Sequence, residues 1–235
     1  MKKRNIKNIR EIIGISILIL FAVGFIKLLP TFMDLVTEEG RIEFETKIEN
    51  LGFNGVIFII ALEVSKIILV FLPGEPIELL AGMCYGPWIG LLVIYIGITI
   101  SNIIIIFSVK KYGIKMVRDV VHEEKLLKIK KMIDENPDRS EITLFVLYFL
   151  PILPKDLITY VASLLPISKK KFLIISILGR FPAVFSSVLV GSKLLDGKII
   201  SIILIYLITY IISGMIAMIY KKASAKEKLK GEKDE

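Results

Sequence analysis

The chain has 235 residues, of which 54% are hydrophobic and 23% are charged, and its formal net charge is +8. This apolar fraction is more than a soluble domain of the same length needs, so the composition indicates an integral membrane protein. A single cysteine, Cys84, excludes a disulfide framework, and a single histidine, His122, excludes most zinc sites and most histidine-based catalysis.

The first apolar run covers residues 12–29 and follows the basic start MKKRNIKNIR. A signal peptide is the alternative, but the sequence FIKLLPTF offers no small-residue cleavage site. The pattern therefore favours a retained transmembrane helix. An acidic loop, residues 34–50, follows with six carboxylates, and residues 41–51 are a candidate short helix.

Two further apolar segments, about 56–85 and about 142–165, are interrupted by prolines. The first contains FLPGEPIELLAGMCYG and the second FLPILPKDLI, so the frame FLPxxP occurs twice. Broken helices survive at membrane depth only where protein or water surrounds the exposed backbone groups. We predict that each interruption is the tip of a helical hairpin, formed by Pro73, Gly74 and Pro76 in the first segment and by Pro151 and Pro154 in the second.

The uninterrupted apolar segments are predicted to cross the bilayer as helices, at residues 12–29, 88–109, 172–191 and 192–220. Lysine and arginine concentrate between them, with 23 of the 31 in residues 1–10, 110–141, 166–171 and 221–235. Because positive residues mark cytoplasmic loops, both termini and the middle loop are expected in the cytoplasm of a cell membrane.

This orientation makes both interrupted segments re-entrant. The first must enter and leave from outside and the second from the cytoplasm, and the arms around PILP are too short to span a bilayer. The predicted fold is an all-α polytopic membrane protein with four transmembrane helices and two opposed re-entrant hairpins in an inverted repeat, a recurrent plan for transporters. Two proline-kinked helices without a repeat are the alternative.

The chain therefore divides into four parts. Residues 1–50 hold the first transmembrane helix and the acidic loop, residues 51–191 the hairpin-containing core, residues 192–220 the last transmembrane helix, and residues 221–235 a charged tail expected to be disordered. Within the core, residues 114–135 have apolar positions at helical spacing among basic residues, which predicts a cytosolic amphipathic helix.

Seven ionisable groups lie well inside the apolar segments: Glu63, Lys66, Glu75, Glu78, Lys155, Asp156 and Arg180. Each would cost about 2.5–3.5 kcal/mol or more in lipid, so partners or water must offset them. Glu63 and Lys66 are three residues apart and can neutralise each other on one helical face. A structural ion pair and a proton or substrate role both remain open for them.

The acids at the tips have two interpretations. If Pro76 starts a returning helix, Glu78 lies in its first turn, and Asp156 holds the same place after Pro154, so helix capping competes with a functional role. Glu75 has no obvious local partner, which favours function. The helix N-termini and Lys155 would together suit an anionic group near the midplane.

Arg180 lies about nine residues, or ~14 Å, from the cytoplasmic end of its span, which is near the middle of a ~30 Å core. Its planar guanidinium matches phosphate or carboxylate, and a salt bridge to Glu75 or Asp156 is the alternative. Pro182 is expected to loosen the helix beside it, while Gly179 suits close helix packing.

The stretches FLPGEPIELLAGMCYG and FLPILPKDL, together with GRFP, resemble the DedA/VTT-domain superfamily, also called SNARE-associated Golgi proteins, and its PGEP-motif branch above all. The resemblance covers roughly residues 50–191. It implies two opposed re-entrant hairpins, transfer of lipids or lipid-linked phosphates between leaflets, and functional roles for Glu63, Glu75 and Arg180. Eukaryotic members are described as phospholipid scramblases, and bacterial members are linked to polyprenyl-phosphate recycling and to functions that depend on the proton-motive force.

We therefore expect a lipid translocase or scramblase whose partners are membrane lipids with anionic headgroups, and protons if transport is coupled. A proton-coupled transporter of small solutes or ions and a membrane scaffold protein are the alternatives. No metal, cofactor or nucleic acid is expected. An enzyme is disfavoured because the sequence has neither HExxH nor a paired-aspartate protease motif. A homo-oligomer remains open.

Overall fold

The structure is a computed structural model that describes residues 37–66, 74–121, 123–134, 140–150, 155–194 and 199–231. The predicted first transmembrane helix, three of the predicted tip prolines (Pro73, Pro151 and Pro154) and His122 lie outside these residues. The described part of the chain is all helical and contains no strand. Three helices include stretches long and apolar enough to cross a membrane, at Glu75–Tyr112, Lys169–Leu194 and Ile200–Tyr220. The coarse prediction of an all-α membrane protein is confirmed.

Eight helices are described. They are α1 (Glu38–Ser65), α2 (Glu75–Tyr112), α3 (Ile114–Val120), α4 (Glu123–Asp134), α5 (Ser140–Phe149), α6 (Lys155–Ala162), α7 (Lys169–Leu194) and α8 (Ile199–Gly231).

Two glycines with positive φ divide α1 and α2 into shorter rods. Gly52 (φ 46°) separates residues 38–51 from an arm at 53–65, and Gly86 (φ 71°) separates an arm at 75–85 from the long rod at 87–112. Only glycine enters this backbone region without strain. The Tyr85 hydroxyl donates to the Gly52 carbonyl at 3.4 Å, so the second arm ends where the first begins. The two arms therefore form a helical hairpin, which we call the first hairpin.

Helices α5 and α6 form the second hairpin. They contain 10 and 8 residues, about 15 and 12 Å, which is much less than a ~30 Å hydrocarbon core. Near its tip the Tyr148 and Thr159 hydroxyls form a hydrogen bond of 2.9 Å between the two arms. At its base Glu141 forms an ion pair of 2.9 Å with Lys171, at the start of α7.

The long rod of α2 and helix α7 run antiparallel through the middle of the molecule. Asn102 donates to Ser176 at 2.8 Å, the Tyr95 hydroxyl donates to the Ile177 carbonyl at 3.3 Å, and the Lys169 ammonium lies 3.9 Å from the Phe107 ring centroid. Hydrogen bonding between helices is thus the role that the structure gives to Asn102. The open end of the first hairpin lies beside the start of the α2 rod, and the open end of the second lies beside the start of α7. Because these two helices are antiparallel, the open ends of the hairpins lie at opposite ends of the bundle.

Close backbone contact joins the first hairpin to α7. A Cβ atom at Gly82 would collide with the Val188 carbonyl, and one at Gly191 would collide with the Leu79 carbonyl. Small residues of this kind let helices approach closely in membranes, where no hydrophobic effect drives their association. The crossing fixes the arm at 75–85 against the far half of α7.

The predicted amphipathic helix at residues 114–135 is divided into α3 and α4. Val121 adopts an extended conformation (φ −109°, ψ 123°), and its side chain is buried in the core. The bend lets Val117 of α3 and both Leu126 and Ile129 of α4 pack into the same apolar cluster, which one straight helix could not achieve.

The tail also differs from the expectation of disorder, because α8 continues to Gly231. Its sequence there, KKASAKEKLK, consists mainly of strong helix formers, so propensity prevails over charge. Upstream, a hydrogen bond between Tyr220 and Thr143 joins α8 to the second hairpin. Most of its remaining apolar side chains are exposed on the surface, which is expected where lipid is the solvent.

Candidate functional site

Arg180 lies in the middle of α7 with only 4% of its surface exposed, and the first half of α6 surrounds it. Its Nη1 donates to Asp156 Oδ1 at 3.1 Å, while Nη2 donates to Thr159 Oγ1 at 2.7 Å and to the Lys155 carbonyl at 3.2 Å. The guanidinium carbon also lies 5.2 Å from the Tyr148 ring centroid. Of the two partners considered from sequence, the structure places Asp156 beside Arg180.

One donor of the arginine is unused. Arg180 Nε is buried and has no hydrogen-bond partner among the described residues. A buried polar group without a partner is uncommon and costs about 1–3 kcal/mol or more, so such groups require an explanation. The guanidinium therefore keeps hydrogen-bonding capacity beyond what the second hairpin uses.

The first hairpin carries its own ion pair. Lys66 Nζ lies 2.6 Å from Glu63 Oε1, and both side chains are at least 95% buried, as the three-residue spacing predicts. Gly97 of α2 makes room for this pair, because a Cβ there would collide with the Glu63 side chain. Ser101 Oγ donates to the Glu63 carbonyl at 3.4 Å. Within the described part of the chain, Glu63 Oε2 is buried and has no hydrogen-bond partner.

Electrostatic interactions connect the two hairpins. Lys66 of the first interacts with Asp156 of the second, and Glu78 interacts with Lys155. Glu78 is buried in the first turn of α2, and Lys66 and Glu78 both approach Gly74. We call the resulting group the tip cluster, which consists of Glu63, Lys66, Glu78, Lys155, Asp156 and Arg180. With three carboxylates and three cations it is formally neutral, which offsets the cost of burying charge.

The first-turn positions predicted for Glu78 and Asp156 are confirmed, and in α2 no side chain caps the helix. Gly74 is the N-cap of α2, with no side-chain capping bond, and its carbonyl accepts from the amides of Ile77 and Glu78. The Asp156 carboxylate binds Arg180. Pro76 stands in the first turn of α2, where a missing amide hydrogen is harmless.

Glu75 lies apart from the tip cluster. It belongs to the first turn of α2, but its side chain is exposed on the surface, where it interacts electrostatically with Tyr206 of α8. Glu78, three residues further along α2, is buried instead.

Gly179 has the packing role predicted for it, since a Cβ would collide with Tyr148 of the second hairpin. Helix α7 continues through Pro182 as one helix. Sequence reasoning missed Tyr148 and Thr159, which complete the surroundings of Arg180. The sequence did offer a signal for Thr159, because it lies four residues after Lys155 and therefore on the same helical face. In the described residues no group of histidine, cysteine, aspartate or glutamate is arranged to hold a metal ion.

A comparison with protein-family models gives a match to the VTT domain over residues 72–193. The matched region contains the returning arm of the first hairpin, both central helices, the second hairpin and four members of the tip cluster. Comparisons with curated proteins and with solved structures gave no match. Since the matched region covers more than half of the chain, the protein belongs to the VTT-domain family, as its resemblance to the DedA/VTT superfamily predicts.

Proposed function

We propose that this protein is a lipid translocase or scramblase, which moves phospholipid or lipid-linked phosphate between leaflets through a polar notch at the hairpin tips. The observation that carries the proposal is the buried Arg180, held by Asp156 and with one donor unused, inside a cluster of charges from both hairpins. A guanidinium is the side chain best suited to a phosphate group.

In this proposal both hairpins are re-entrant and dip toward the bilayer midplane from opposite leaflets. Their short arms and their openings at opposite ends of the bundle support this arrangement. With residues 12–29 as a further span, the protein has four transmembrane helices. It lies in the cytoplasmic membrane with both termini in the cytoplasm, because the lysine-rich segments mark that side.

Transfer would proceed by exchange of partners at Arg180. At rest Asp156 neutralises the guanidinium, and an arriving anionic headgroup takes its place while the acyl chains remain in the bilayer. The exchange costs little because Asp156, once released, still has Lys66 and Lys155 near it. Glu63 and Glu78 balance the remaining charge, and Glu63 is the group that would carry a proton if transport is coupled.

The direct test uses purified protein in liposomes that contain fluorescent phospholipid, with headgroup exchange measured by quenching from outside. Arg180→Ala should reduce transfer about 100-fold or more, because it removes the buried charged group that would bind the headgroup. Arg118→Ala is the matched control, since Arg118 is an exposed arginine with only a surface ion pair to Glu123. Unchanged transfer by folded Arg180→Ala protein contradicts the proposal.

A second candidate is proton-coupled transport of a small solute or ion. The buried Glu63 Oε2, for which the described residues provide no hydrogen-bond partner, favours it, since such a carboxylate is a typical proton carrier within membranes. Solute flux driven by a pH gradient, without leaflet exchange of lipid, would support this candidate. A scaffold role would give neither signal.

A further inference from the structure

Helix α8 is polar where it contacts the other helices and mainly apolar where it faces outward. Its residues Tyr206, Ser213 and Tyr220 follow each other at intervals of seven, about two helical turns, so they lie on one face. Tyr206 lies within hydrogen-bonding reach of Ser187 on α7, and Tyr220 bonds to Thr143 of the second hairpin. We call the contact along this face the α8 seam.

The α8 seam connects the tip of the first hairpin with the end of the bundle that carries the lysine-rich segments. At one end Tyr206 interacts electrostatically with Glu75, in the first turn of α2. At the other end Tyr220 lies two residues before the exposed Lys222. The fourteen residues from Tyr206 to Tyr220 correspond to ~21 Å along the helix axis, a large part of a ~30 Å hydrocarbon core.

Hydrogen bonding between helices explains Tyr206 and Tyr220, but it does not explain Ser213. Among the α8 residues whose exposure is described, Ser213 alone is buried, with 1% of its surface exposed, yet its hydroxyl has no hydrogen-bond partner among the described residues. Thr209, by contrast, donates to the Ile205 carbonyl four residues earlier, as hydroxyls in helices commonly do. A buried hydroxyl without a partner requires one, and water is a suitable partner.

Glu75 also requires water. Its side chain is exposed. It lies eleven residues before Gly86, which ends the arm at the open end of the first hairpin, so it is ~16 Å from that end and near the middle of the core. Its neighbour Tyr206 belongs to the stretch of α8 that is long and apolar enough to cross a membrane. Lipid does not solvate a carboxyl group, so a side chain exposed at this depth needs access to water.

We propose that the α8 seam is a hydrated path, which brings water from the lysine-rich end of the bundle to Glu75. Successive polar groups of the seam are ~10 Å apart along the axis, a distance that a few hydrogen-bonded waters at ~2.8 Å spacing would bridge. Each hydroxyl can both donate to water and accept from it. The path would let Glu75 exchange protons with that side. This does not depend on lipid transfer, because water needs no headgroup at Arg180.

Silver ions test the path, because they are about as small as water and react with thiolates, which form where water reaches them. In full-length Cys84→Ser protein, silver nitrate is added to the lysine-rich side of membrane vesicles, and free thiols are then counted with a fluorescent maleimide after unfolding. Ser213→Cys should react about tenfold faster or more than Ile212→Cys, since a thiol in lipid stays protonated. Ile212 is the matched control, because it lies one residue away and is exposed on the outer face of α8. Equal rates would mean that the seam is dry, which overturns the proposal.

A second pair of variants tests whether the same path reaches Glu75. Glu75→Cys should react with silver ions from the lysine-rich side, and Ser213→Leu, which fills the seam with a larger apolar side chain, should slow that reaction by about tenfold or more. Ile212→Leu is the control, because it changes only the outer face of α8 and should leave the rate unchanged. If Glu75→Cys reacts equally fast with either leucine, water reaches the tip by another route and the proposal is wrong.

Discussion

The two hairpins carry the same FLPxxP frame but neutralise their charges in different ways. In the first, Glu63 and Lys66 pair within one arm, so this ion pair does not depend on contact with another helix. In the second, Asp156 of α6 pairs with Arg180 of α7, so neutrality depends on contact between the hairpin and its neighbouring helix. A displacement of α6 would therefore separate Arg180 from Asp156, whereas a displacement of the first hairpin would leave the Glu63–Lys66 pair intact.

The largest effects on stability and transfer are expected from changes to the Asp156–Arg180 pair. Arg180→Ala alone should lower the free energy of unfolding by ~3–5 kcal/mol, the usual cost of removing one partner of a buried ion pair. The double variant Asp156→Arg/Arg180→Asp restores the pair, so we expect it to recover most of the stability and none of the lipid transfer. Thermal unfolding and the liposome assay measure the two quantities separately.

Recovery of transfer together with stability would mean that the pair needs only to be neutral. In that case the position of the arginine on α7 would have no role in binding a headgroup.

The ion pair of the first hairpin should behave differently. Lys66→Met leaves a buried carboxylate unpaired and should cost ~3 kcal/mol of stability, whereas Glu63→Gln/Lys66→Met removes both charges and should cost much less. Transfer by the double variant should fall less than tenfold, because no headgroup binds to this pair. A double-mutant cycle monitored by thermal unfolding gives the coupling energy. A loss of transfer as large as that of Arg180→Ala would show that both hairpins bind the substrate.

A smaller loss of stability is expected from a substitution at Gly97, where α2 contacts the first hairpin closely. Gly97→Ala places a methyl group against the Glu63 side chain, so we expect a loss of ~1–3 kcal/mol of stability from overpacking. Gly214→Ala is the control, because nothing lies within 4 Å of the added carbon in α8. Unfolding midpoints of the two variants should differ, with only the first lowered. Equal midpoints would contradict the close contact between Gly97 and Glu63.

The smallest effect concerns Thr159, whose hydroxyl accepts from Arg180 and bonds to Tyr148. Thr159→Val keeps the shape of the side chain and removes the acceptor, so stability should fall by ~1–2 kcal/mol. Transfer should fall by less than in Arg180→Ala, since Asp156 still positions the guanidinium. Stability unchanged within measurement error would mean that water replaces the threonine.

Sequence patterns predicted those features that depend on local spacing. The three-residue spacing of Glu63 and Lys66 predicted their ion pair. The re-entrant hairpins that the repeated proline frame predicts stay a prediction. The midpoint position of Arg180 followed from counting residues along an apolar segment. Each of these predictions requires only the geometry of one helix.

The features that sequence did not predict depend on how helices pack. The choice of Asp156 over Glu75 as partner of Arg180 follows from the packing of α6 against α7, and no single-helix pattern encodes it. The division of the helix at Val121 likewise follows from burial of apolar residues in a cluster formed by several helices. The space that Gly97 leaves for Glu63 joins two distant stretches of the chain.

Accessibility labelling tests the central claim most directly, namely that the two tips meet inside the bilayer. In a Cys84→Ser background, Lys155→Cys should resist a bulky membrane-impermeant maleimide applied from either side. Lys170→Cys and Trp88→Cys, both at exposed positions, should react from opposite sides. Labelling of Lys155→Cys as fast as that of Lys170→Cys, or labelling of both exposed positions from one side, would contradict the account.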